Sequence, residues 1–133
     1  MLNPFPQLFV YGFFAPTLLR IAAAGVFFYL AYWHFKTKKE VAHELTVLSH
    51  EMAVWIIGLY MLIELAVGAG LFLGFWTQVD ALLGFIISIK VLLLKRSMHA
   101  MAPLSRTAYV LLAVICLSLL ASGAGAFAID LPL

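Results

Sequence analysis

The chain has 133 residues, 65% of them hydrophobic and only 11% charged, whereas a soluble domain averages near 45–50% apolar and about 25% charged. With a mean hydropathy of +1.10, that composition excludes an ordinary water-soluble fold. A net charge of +2 is too small to imply nucleic acid, and a single cysteine, Cys116, excludes an internal disulfide or a CxxC redox pair.

The N-terminal stretch "MLNPFPQLFVYGFFAP" has no Lys or Arg before Arg20, so it lacks the basic region of a secretory signal, and the first span is expected to be retained. Its aromatic part reads as an interfacial segment or as an extension of helix 1 bent at Pro16. The first apolar run covers 16–35, with Pro16 suited to open a helix. The polar stretch "KTKKEVAHELTVLSHE" follows; its Val41, Leu45 and Leu48 recur at helical spacing, which predicts a surface helix over part of it. A second run covers 52–73, then "GFWTQ" makes a tight turn with Trp76 at the interface. A third covers 79–98 and ends before "SMHAMAPLSR", where Pro103 stops helix 3. The fourth covers 107–128. Each is close to the ~20 residues needed to cross ~30 Å of hydrocarbon, and in lipid such runs must be helices. The fold class is therefore all-α, a single-domain up-down transmembrane bundle of four helices.

Lys36, Lys38, Lys39, Lys90, Lys95, Arg96 and Arg106 lie in or beside the first and third connections, and Arg20 alone is on the opposite side. Basic residues favour the cytoplasmic face. Those two connections are expected inside, with both termini and the short turn outside.

Small residues repeat every four positions at Ala66, Gly70 and Gly74, and again at Ala121 and Gly125. Such stripes let membrane helices approach closely, which makes helix 2 against helix 4 a candidate contact.

Glu64 interrupts the apolar run "YMLIELAVGAGLFLG" about 14 Å from the outer end of helix 2. A carboxyl at that depth is costly unless it is paired, protonated or wetted, so it should face the bundle interior. Three roles are open: a neutral glue residue bonded to a neighbouring helix, an ion pair with Arg20, or a carboxyl that handles protons or ligand. Arg20 can reach Glu64 only if helix 1 begins well before Pro16, because helical side chains lean toward their own N-terminus. Asp80 and Asp130 fall at the same mouth as Arg20, either as interfacial residues, Asp80 favoured by the helix 3 dipole, or as parts of a shared pocket. His34, His43, His50 and His99 all map to the cytoplasmic side. His43 and His50 stand two turns apart, about 10 Å, too far to share one metal unaided, so the four are weak metal candidates. Lys90 can snorkel from helix 3. No nucleotide-binding glycine motif, nucleophile elbow or HExxH occurs, so no cofactor is encoded by a recognisable motif.

The run "ELAVGAGLFLGFWTQVDALLG" resembles the second-span signature of the DoxX-like membrane proteins, and "SLLASGAGAFAIDLPL" is similar to that family's closing pattern. "LLRIAAAGVFFYLAYWHF" is similar to its first span, which typically opens with an Arg. The chain departs from the pattern at Gln78 and Asp80, where relatives often carry an Arg after the Thr, and at Ala126, where an Arg is usual. The resemblance implies a four-helix bundle in the cytoplasmic membrane of a bacterium or archaeon, with Arg20, Glu64, Gly70, Gly74, Gly123, Gly125 and Asp130 as positions to test. The family's namesakes are linked to a thiosulfate:quinone oxidoreductase. The expected function is an accessory or anchoring subunit of a quinone-linked redox complex, more readily a non-catalytic subunit than an enzyme by itself. The alternative is a carrier or binding protein for quinone or lipid, using an Arg20/Glu64 pocket. Besides the bilayer, larger redox subunits or further copies of the chain are the partners this admits.

Overall fold

The computed structural model describes residues 12, 14–44, 50–94, 102–125 and 128–129. It contains four helices: α1 (Phe14–Glu44), α2 (His50–Leu73), α3 (Thr77–Leu94) and α4 (Arg106–Ser122). Among the described residues there is no strand. The regular structure of the described residues is all-helical, and α1, α2 and α3 are long and apolar enough to cross a membrane.

Two helix ends differ from the sequence reading. The first helix does not stop at residue 35 but runs on through the lysine-rich stretch to Glu44. That stretch holds no Gly or Pro to break it, and Val41 and Ala42 are buried in one core cluster with Ala53 and Ile57 of α2. At 31 residues, α1 is about 46 Å long. The fourth helix ends at Ser122 rather than 128, because Gly123 takes φ 77° and its N–H bonds back to Leu119. The 17 residues of α4 span only about 26 Å. Its start is fixed by Ser105, whose side chain accepts from the Ala108 N–H. The turn between α2 and α3 is as tight as expected: Gly74 has φ 68° and Trp76 φ 49°, with Trp76 stacked on Phe75. His99 and Asp130 lie outside the described residues, as does the side chain of His50.

Successive helices run antiparallel around a ring. The broad seams are α1 with α2 and α3 with α4, while α2 with α3 and α1 with α4 meet along narrower ones. The expected α2–α4 contact is therefore not a main seam, since these helices sit on the diagonal. Ala66 and Ala121 are exposed instead of packed. Gly70 and Gly74 make room for polar side chains: a Cβ on Gly70 would collide with the Asp80 carboxyl, and one on Gly74 with the Arg20 guanidinium. Gly125 packs against Pro16 and Thr17 of α1.

Between the two broad seams sits Phe27. A Cβ on Gly84 of α3 would lie 2.9 Å from the Phe27 ring and 3.0 Å from the Cys116 sulfur, so a bare glycine lets α1, α3 and α4 converge at this level.

Polarity is inverted relative to a soluble protein. Thr17, Arg20, His34, Glu64, Thr77 and Ser88 are buried, while Leu18, Trp55, Leu59, Leu62, Phe72 and Leu93 are more than half exposed. The hydroxyls of Ser88 and Ser122 bond to carbonyls one turn back, at 2.7 and 2.8 Å, which satisfies them without water. This is the surface of a multi-pass membrane protein.

Candidate functional site

Glu64 faces the interior and is fully buried, and its partner is His34 of α1. The His34 Nδ1 lies 2.7 Å from Glu64 Oε2, and His34 is 1% exposed. The reason is geometric. α1 and α2 are antiparallel, and helical side chains lean toward their own N-terminus. His34 thus leans toward the α2–α3 turn, Glu64 leans toward the opposite end, and the two meet. The same rule separates Glu64 from Arg20. Arg20 lies 14 residues before His34, about 21 Å along the axis, and leans further away.

Around the pair, α2 itself and the two remaining helices supply polar or aromatic groups. Tyr60, one turn before Glu64 on the same face of α2, presents its ring edge-on to His34, with centroids 5.4 Å apart at 80°. Lys90 of α3 places its ammonium 4.7 Å from the centre of the Tyr60 ring, a cation–π contact. Rather than only snorkelling, it ties α3 to α2. Tyr109 of α4 is buried in the same core cluster as Tyr60, while Lys90 is exposed. The cluster His34, Tyr60, Glu64, Lys90 and Tyr109 thus draws on all four helices.

Two buried atoms of this cluster, Tyr60 Oη and Glu64 Oε1, have no hydrogen-bond partner among the described residues. An unsatisfied donor and acceptor in a low-dielectric core are expensive, and they match a polar group that can accept from the phenol and donate to the carboxyl. The His34–Glu64 contact also needs a proton: two bare acceptors at 2.7 Å would repel, so one of them carries it.

Arg20 belongs to a second polar site at the turn end. It is buried, and its Nη1 donates to the Ala124 carbonyl at 2.7 Å, fastening the chain after α4 to α1. The half-buried Asp80 sits in the first turn of α3 over Gly70. The Arg20/Glu64 pocket expected from the sequence is therefore two sites on different levels. His43 is exposed on the extended end of α1, two and a half turns from His34. Among the described residues no three His, Cys, Asp or Glu side chains converge.

Sequence alone does not single out Tyr60, Lys90 and Tyr109 as site residues, and it sets His34 with the other histidines of the cytoplasmic side. A signal existed. Arg20, Ala23, Phe27, Leu30 and His34 recur at spacings of three and four, so His34 shares the buried face of α1. Tyr60 and Glu64 stand four apart on α2.

Residues 15–96, more than half of the chain, match the family model described as DoxX. The chain belongs to the DoxX family. The match covers α1, α2 and α3, including His34, Tyr60, Glu64 and Lys90, and ends before α4 and Tyr109. No curated protein and no solved structure matches the chain.

Proposed function

We propose that this DoxX-family protein is an accessory or anchoring subunit of a quinone-linked redox complex in the cytoplasmic membrane of a bacterium or archaeon. The observation that carries this reading is the proton-bearing His34–Glu64 contact, sealed in the core of a bundle with an apolar outer surface. Quinone, when bound, supplies the two-electron chemistry. Its reduction consumes protons as well, and in lipid a buried carboxyl–imidazole pair is a means of holding one. No redox group is encoded in the sequence, so electrons would come from partner subunits. The basic connections favour placing the Lys36–Lys39 and Lys90–Arg106 ends inside and both termini outside.

Tyr60 Oη and Glu64 Oε1 support a second reading, a carrier for a hydrophobic ligand such as quinone or lipid. The unpartnered phenol would donate to a ligand carbonyl, and Glu64 would accept from a ligand hydroxyl. This moves the ligand-binding role from an Arg20/Glu64 pocket to the His34/Tyr60/Glu64 cluster.

Mild-detergent purification with native mass spectrometry, on wild type and Glu64→Gln, tests both. Partner subunits that co-purify with each form, together with a quinone-reduction rate at least ten-fold lower in the variant complex, support the subunit reading. A lone chain overturns it. If that lone chain holds a small hydrophobic molecule which Glu64→Gln loses, it is a carrier.

A further inference from the structure

A groove of about 410 Å³ lies away from the buried cluster, on the outer side of the α1–α2 seam at the end remote from the short turn. Lys38 and Lys39 of α1 line it with Glu51, Val54 and Trp55 of α2. Its level is set by the helices. Trp55 stands 18 residues before Leu73, about 27 Å from the turn end of α2, and Lys38 stands 18 residues past Arg20 on α1. Both distances approach the ~30 Å of hydrocarbon, so the groove opens at the headgroup layer.

Its chemistry is graded. Lys38 rests against Gly58, where a Cβ would be 3.5 Å from the ammonium, so the missing side chain lets the cation lie over α2. Lys39 and Trp55 are both exposed, Trp55 at 81%, with its indole on the lipid side. Beneath Trp55, Leu59 and Leu62 continue one exposed apolar stripe down α2, and Phe35 is exposed one turn below Lys39 on α1. Two ammonium groups and an indole N–H can surround a phosphodiester. The Glu51 carboxylate, at the same groove, can accept from a hydroxyl carried beside that phosphate. The apolar stripe below suits acyl chains.

We propose that this groove is a binding site for one anionic phospholipid of the glycerol-headgroup type. Lys38 and Lys39 hold its phosphate, Glu51 accepts from its glycerol hydroxyls, and Trp55 with Leu59 and Leu62 guides its tails. The site is independent of the proposed redox role.

The test uses the full chain in neutral phosphatidylcholine nanodiscs, with native mass spectrometry and thermal unfolding, and phosphatidylglycerol, phosphatidic acid or inorganic phosphate added in turn. Phosphatidylglycerol should be retained at least five-fold over phosphatidylcholine and should raise the unfolding midpoint. The double variant K38Q/K39Q should lose that retention, with its midpoint in phosphatidylcholine unchanged. E51Q should keep phosphate-bearing lipid but lose the preference for phosphatidylglycerol over phosphatidic acid. Equal retention of phosphatidylcholine, or unchanged retention by K38Q/K39Q, overturns the proposal. So does displacement by millimolar inorganic phosphate, which would make this a free-anion site. If K38Q/K39Q fails to fold, K38R/K39R must retain the lipid and K38E/K39Q must not.

Discussion

His34 Nδ1 and Glu64 Oε2 meet at 2.7 Å, and both side chains are buried in the core. The contact is a joint between the two helices that share the broadest seam. Removing one partner strands the other, which is why single and double substitutions should differ.

His34→Leu or Glu64→Leu is expected to cost about 1–3 kcal/mol each, the penalty for orphaning a buried polar group. The double variant H34L/E64L should lie closer to wild type than the sum of the singles, with a coupling of about 0.5–3 kcal/mol. Denaturant unfolding in a fixed mixed micelle measures all three, and additive single effects would show that the contact contributes no stability.

The glycines should rank by what surrounds them. Gly74→Ala forces φ 68° on an L-residue and drives a methyl to 2.8 Å from the Ala128 backbone, so a loss of about 1–3 kcal/mol is expected. Gly70→Ala should cost less, because the Asp80 side chain can swing aside. Gly25 has open space around it in the middle of α1, and Gly25→Ala should raise stability by about 0.5–1 kcal/mol. Thermal midpoints of the three variants check the order.

Arg20→Leu removes the donor to Ala124. Backbone amides at Gly123–Gly125 should then exchange with deuterium at least ten-fold faster, while those of α2 near Glu64 keep their protection. Hydrogen exchange read by mass spectrometry separates this from general unfolding, which would speed both.

Cys116 is fully buried and is the single thiol of the chain. A water-soluble maleimide should label it only as fast as the bundle opens, which makes its labelling rate a direct measure of unfolding. Gly84→Ala, which crowds Cys116 and Phe27, should accelerate that labelling relative to wild type.

The hydropathy runs and the inward orientation of Glu64 were legible because both follow from the cost of polar groups in lipid, which acts locally in sequence. The ends of α1 and α4 were not. The lysine-rich stretch after residue 35 reads as a connection with a separate surface helix, but α1 continues through it unbroken, because Val41 and Ala42 bury against α2. Gly125 reads as a packing residue and does pack against α1, whereas Gly123, marked only by the family resemblance, acts through its backbone to end α4. The partner of Glu64 stays open for the same reason: with helix 1 ended at 35, His34 falls at a membrane edge, which leaves an unnamed neighbouring helix, Arg20 or a ligand. The lean of helical side chains pairs residues that both lie within the span, and the continuation of α1 to Glu44 brings His34 within it.

The narrow meeting of the two broad seams at Phe27 and Gly84 bears on how the protein is made. Each hairpin, α1–α2 and α3–α4, is closed along its own length and can enter the bilayer as a unit during synthesis. The first hairpin already contains the His34–Glu64 contact, so it carries its buried charge neutralised before the second arrives. Docking of the second then seats the Phe27 ring in the Gly84 notch, alongside the Arg20 and Lys90 contacts between the hairpins, a late step that a single methyl group at position 84 would obstruct.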